Sequence, residues 1–194
     1  MRAAPLAIRN PKSVYSAPDD PDIVGLEDRL VQSLAESSEG TVVPVSLRGS
    51  VLSASCFARL LGNALRGVSL GLYSGRYVVV QDSDGDNDWD ADAALRKVSA
   101  EGPAKLVCVW KSGDGRPQLI GDVDRVVQET YDFIWDRERE GAPATTREMA
   151  EAYKMRIQAA SNRVSKAAAL GVVRAVEEQP AEGGGVQRLL VAVQ

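Results

Sequence analysis

The chain has 194 residues, 44% hydrophobic and 26% charged, which is an ordinary globular composition with room for one large or two small domains. It contains no histidine, so Ser-His-Asp and Cys-His nucleophile systems, His-based acid–base catalysis and His-liganded zinc are excluded, and an enzyme is not expected. Net charge is −4 but uneven: within 150–176, Lys154, Arg156, Arg163, Lys166 and Arg174 face only Glu151. A basic island at the end of an acidic chain points to a C-terminal module with its own partner.

The start, "MRAAPLAIRNPKSVYSAPDDPD", reads as a loose N-terminal arm over residues 1–22, because Asn10 and Lys12 interrupt its apolar patch too early for a signal-peptide core. No stretch approaches the roughly 18–20 continuous apolar residues of a membrane span. Cys56 and Cys108 sit in apolar settings without CxxC spacing and are expected to be reduced core residues of a cytoplasmic protein.

"LEDRLVQSLAESSEG" (26–40) predicts a helix with Leu26, Leu30, Val31 and Leu34 on one side and Gly40 as its stop. "TVVPVSLRG" (41–49) is strand-like, with Pro44 arguing for an edge or strand-start position. "SASCFARLLGNALRG" (53–67) predicts a second helix, capped by Ser53 or Ser55, with Phe57, Leu60, Leu61, Ala64 and Leu65 on its apolar face. Strands "RYVVVQD" (76–82) and "AKLVCVW" (104–110) flank a helix at 90–102, and the "GDG" turn leads into the short strand "PQLIG". Alternating strands and helices make this part an α/β domain with one small sheet, over residues 23–121.

The loop "DSDGDNDWDAD" places Asp at 82, 84, 86, 88, 90 and 92. With Gly85 as the turn glycine of a calcium loop, the first ligand position falls on Val80 and the bidentate acid position on Ala91, so the EF-hand pattern fails. A solvated acidic loop, pinned to the surface by Trp89, is the stronger reading, and neither metal nor cofactor is expected.

From Asp122 the pattern becomes helical. A helix over 122–140, capped by Asp122, is followed by helices at 146–154 and about 159–170, with Thr145 or Thr146 as cap and Glu148 set for a capping box. Gly171 ends the last helix, and "VVRAVEE" and "VQRLLVAVQ" form a hairpin around "QPAEGGG". Two short helices joined by a few residues and followed by a hairpin have the layout of a winged helix-turn-helix over 122–194, with 122–140 as the connecting helix. In such a unit the second helix crosses the first closely. Ala160, Val164 and Ala167/Ala168 are expected inward, against Met149, Ala150 and Tyr153.

The run "TTREMAEAYKMRIQAASNRVSKAAALGVVRAV" resembles the winged helix-turn-helix of bacterial transcriptional regulators, in its Thr-capped "REMAEAY", its "SNRV" and its "LGVVR" leading into the wing. That resemblance implies binding of double-stranded DNA. Thr146, Arg156, Gln158, Ser161, Asn162, Arg163, Ser165 and Lys166, with Arg174 and Arg188 in the wing, become the base or phosphate contacts. A homodimer reading paired half-sites is expected. The wing tip "EEQPAEGGG" carries acids and no cation, which argues against deep minor-groove insertion.

"VVPVSLRGSVLSASCFARLLGNALRG" resembles the STAS-like domains related to anti-sigma-factor antagonists, where a strand leads through a serine-bearing stretch into a helix. The resemblance implies a sensing or assembly role, with Ser53 and Ser55 as candidate regulatory positions. The alternative function is a partner-switching protein that binds another protein through this N-terminal domain, the winged domain docking protein as well.

Overall fold

Two apolar runs set the architecture. Tyr77–Val80 and Leu106–Trp110 have no polar interruption, and a strand that is apolar on both faces has to be covered on both. The computed structural model, which describes residues 3–8, 11–47, 49–82, 87–113, 115–180 and 186–194, shows what covers them.

The first elements are β1 (Leu6–Ala7), β2 (Val14–Tyr15), α1 (Pro21–Glu36), β3 (Val42–Ser46), β4 (Val51–Leu52), α2 (Ala54–Ser69), β5 (Tyr77–Asp82), α3 (Asp88–Ala100), β6 (Val107–Ser112) and β7 (Gln118–Gly121). They build a mixed five-stranded sheet in the order β1-β3-β5-β6-β7, parallel except for β7. Val78, Val80, Cys108 and Trp110 point to one face and pack with α1, α2 and α3 through Leu26, Leu30, Phe57, Leu60 and Leu95. The Phe57 ring meets Trp110 edge-on at 5.7 Å. The expectation of an α/β fold holds at this level.

The opposite face carries Val42, Tyr77, Val79, Val107 and Val109, and the C-terminal elements cover it. These are α4 (Arg125–Arg139), β8 (Ala144–Thr145), α5 (Thr146–Ala152), α6 (Ile157–Ala169), β9 (Val173–Pro180) and β10 (Val186–Ala192). The last two strands and β8 form a three-stranded antiparallel sheet with β10 in the middle. The C-terminal unit therefore shares a core with the sheet. Its α4 is tied to the chain end by the Tyr131 hydroxyl, which donates to the Val193 carbonyl at 3.0 Å. Gly171, at φ 71°, ends α6 so close to Val68 of α2 that an added Cβ would lie 2.8 Å from it.

Several expectations need correction. The described part of the N-terminal stretch, residues 3–8 and 11–22, is no loose arm: β1 pairs with β3, β2 pairs with β4, and Ile8 and Tyr15 are buried in the first core. Helix α1 starts at Pro21, capped by Asp20, and ends at Glu36; Gly40 lies beyond it, in the turn to β3. The cap of α4 is Asp124, whose carboxylate accepts from Val127 N at 3.0 Å, while Asp122 reaches Lys105 instead. Pro44 lies inside β3, next to an edge that β1 pairs only at Val45 and Ser46. Trp89 is 82% exposed and pins nothing. Residues 83–86 of the acidic loop, and 181–185 at the hairpin tip, lie outside the described residues.

Among the described residues no helix is long and apolar enough to cross a membrane. Both cysteines are free and buried, and burial pushes the Cys108 thiol up to about 12. Neither thiol is expected to react with a dithiobis(nitrobenzoate) reagent in the native protein at mildly alkaline pH, and both should react once it is unfolded. Titration of one thiol equivalent in the folded state would show that this packing is wrong.

Candidate functional site

The pair α5–α6 is fixed from its first residue. Thr145 caps α5, accepting from Glu148 N at 3.2 Å, and the Glu148 carboxylate accepts from Thr145 N at 2.9 Å, which completes the capping box. Burial pushes the Glu148 carboxyl up, but the bonds from Thr145 and Arg137 outweigh it and hold the group below its ordinary range. Thr146 is therefore the first residue inside α5, half-buried. The turn Tyr153–Arg156 follows, with Lys154 in the left-handed region at φ 50°, a conformation that costs a non-glycine residue about 1 kcal/mol or more.

Helix α6 then runs over the unit on small side chains. Ala160 and Ala167 are fully buried with Met149 and Ala150, and Val164 is half-buried beside them. Ala168 was expected inward but is exposed, since one residue turns the helix by about 100° away from Ala167. Tyr153 also faces outward. Its hydroxyl donates to the Glu129 carbonyl at 3.1 Å, and its ring meets Phe133 edge-on at 5.8 Å.

Gln158, Asn162 and Ser165 form an exposed stripe at i, i+4 and i+7, and the Gln158 amide donates to Asn162 Oδ1 at 3.3 Å. Arg156 is exposed at the start of the helix and Lys166 near its end; Ser161 is half-buried. Amides in such a stripe match the paired donor and acceptor of adenine in a major groove, and a hydroxyl suits either kind of edge.

Two of the cations are already engaged within the chain. Lys166 Nζ lies 2.5 Å from Asp124 Oδ2. Arg163 Nη1 lies 3.1 Å from Glu129 Oε2, with its guanidinium over the Tyr153 ring at 5.3 Å. The hydrogen bond from Lys166 holds the Asp124 carboxyl below the usual carboxylate range, and Arg125, then Arg163, do the same for Glu129. In the hairpin, Arg188 pairs with Glu178 across the strands at 3.0 Å. Arg174 is half-buried at the start of β9, in the lining of a cleft that Tyr77 also lines.

No protein-family model, curated protein or solved structure matches the chain. The site is therefore read from its own chemistry. Among the described residues no group of His, Cys, Asp and Glu side chains is placed to hold a metal ion.

At the other end of the molecule Ser53 caps α2, accepting from Cys56 N at 3.4 Å. Ser55 is exposed, its hydroxyl 2.9 Å from that of Ser53, and both hydroxyls reach the Ser16 carbonyl. Sequence reasoning overlooked Asp124 and Glu129, and gave Tyr153 an inward packing role where it instead stands under Arg163. A signal was present: the segment leading into α4 carries acids in a chain whose last helix is basic.

Proposed function

We propose that the chain is a sequence-specific, double-stranded-DNA-binding protein of the winged helix-turn-helix type, acting as a transcriptional regulator. In this reading α4, α5 and α6 are the three helices, α6 enters the major groove, β9 and β10 make the wing, and the STAS-like α/β unit serves sensing or assembly. The observation that carries the reading is the exposed Gln158–Asn162–Ser165 stripe, on a helix seated on alanines and followed by a hairpin. Arg156 and Lys166 at its two ends supply phosphate contacts. Because one short helix reads few base pairs, the active form is a homodimer on paired half-sites. Sedimentation of a monomer, both free and on DNA, would refute that part.

The direct test is fluorescence anisotropy on duplexes selected from a random pool, at about 50 and 200 mM salt. An enriched motif that survives the higher salt supports the reading. Asn162→Ala should then lose about 1–3 kcal/mol of discrimination at one base position while the fold is kept, because Asn162 is exposed. Equal affinity of the variant for the selected motif and for its point variants at every position, with wild type no different, would sink it.

A second reading, protein docking by the same face, is favoured by two observations. Lys166 and Arg163 are ion-paired internally, and Ile157 stands 56% exposed at the head of α6. Absence of DNA binding even at low salt would select it.

A further inference from the structure

The end of α6 raises a question that close packing does not answer. Only Ala160 and Ala167 need to be small for the helix to seat, yet Ala168 and Ala169 are also alanine and are exposed. They form one wall of a cleft of about 950 Å³ between the hairpin and the α/β unit. Val173 and Val176 add to its apolar lining, and Glu39, Ser74 and Tyr77 line it as well. The volume falls within the usual range for small-molecule sites.

The charges in the cleft are unevenly satisfied. Arg188 and Glu178, on the hairpin, neutralise each other. Arg174, half-buried in the lining, has no ion-pair partner among the described residues, and its Nε–H, closed to solvent, has no acceptor there either. A buried donor without an acceptor is costly, and such a group in a native fold calls for an explanation. Glu39, in the same lining, is exposed and makes no ion pair with Arg174. Gly75, at φ 70° and without a Cβ, leaves room for the Glu39 side chain to lie over its backbone. Tyr77 also lines the cleft, and burial pushes its hydroxyl up, Arg174 pulling it down and Glu39 pushing it up.

We infer that this cleft binds a small zwitterion of the amino-acid type, its carboxylate on Arg174, its ammonium on Glu39 and its apolar side chain against Ala168, Ala169 and Val176. A simple anion would meet Glu39, and a simple cation would meet Arg174. Only a ligand carrying both charges satisfies the two groups at once. Larger residues at 168 and 169 would fill the space the ligand needs. The site joins the α/β unit to the last turn of α6, and its occupancy does not depend on the DNA-binding reading.

The test is a titration of the full chain, ¹⁵N-labelled, watching the arginine Nε–H resonances. The probe is a pool of the common L-amino acids, each at about 1 mM, a concentration that detects an affinity of about −4 kcal/mol. The Arg174 signal, assigned by its loss in Arg174→Lys, should shift saturably, and single amino acids then identify the ligand. Glu39→Gln, on an exposed loop residue, should weaken binding roughly tenfold or more, as expected for a lost charged hydrogen bond. Ala169→Leu should abolish the shift in a protein of unchanged thermal stability. No saturable shift with the pool would overturn the inference. So would an equal response to sodium acetate together with indifference to Glu39→Gln, which would mark a simple anion contact.

Discussion

Replacing Asn87 with alanine is expected to lower the stability of the fold by about 3–5 kcal/mol, an effect as large as emptying a core position. Asn87 joins three segments. Its Oδ1 accepts from Leu52 N at 2.8 Å, and its Nδ2 donates to the Ser50 carbonyl at 3.0 Å and to Asp82 Oδ1 at 3.2 Å. Its own backbone N–H reaches Asp82 Oδ2 at 3.2 Å. Asp82 is 1% exposed at the end of β5, so the side chain that satisfies this carboxylate cannot be replaced there by bulk water. Alanine strands a donor, a carbonyl and a carboxylate oxygen together. Thermal unfolding should fall by about 10 °C for a chain of this size. Asn87→Asp keeps the size and the acceptor but sets a second carboxylate against Asp82, and should be at least as damaging. A melting shift under about 2 °C for Asn87→Ala would show that these bonds contribute little.

The Asp82–Asn87 pair also marks where the sequence was hard to read. The acidic run suggests one solvated loop, yet its first member is buried and its asparagine is a structural joint. The strand ending at Asp82 and the helix near Asp90 follow from local pattern, but alternating Asp residues look alike in sequence, and only the sheet shows that Asp82 ends its central strand and is buried there. Helices with full apolar faces, such as α2, and caps with a partner, such as Thr145 with Glu148, were legible because the signal is local. Strands β1 and β2 were not, being two residues each between prolines and too short for any period to register. The docking of the C-terminal unit was half legible. Tyr77 and Val79, alternating with Val78 and Val80, announce a second covered face without saying what covers it. At the candidate site, the exposed stripe on α6 follows from helical spacing. The inward turn of Arg174 and the pairing of Arg163 and Lys166 depend on elements far away in the chain, and no local pattern encodes them.

That pairing leads to the second large expectation. Asp124→Asn combined with Glu129→Gln should strengthen binding to the selected duplex about tenfold near 0.1 M salt and steepen the salt dependence by up to about 0.9 per cation released. Asn at position 124 retains the ability to cap α4, so only the charge is removed. The three ion pairs lost, Lys166–Asp124, Arg163–Glu129 and Arg125–Glu129, are all at least partly exposed, and their loss should change stability by no more than about 1 kcal/mol. In the wild type, each cation that turns to a phosphate leaves behind a carboxylate facing the DNA. That carboxylate repels the backbone and competes for the same side chain. Removing two acids from a chain of net charge −4 also reduces the long-range repulsion that opposes encounter. If binding is real but both affinity and salt slope stay unchanged in the double variant, Lys166 and Arg163 are structural and the phosphate contacts lie elsewhere, Arg156 first. If instead Lys166→Ala in the double-variant background restores wild-type affinity and lowers the slope by about one unit, Asp124 acts as a restraint on a cation that belongs to the DNA interface.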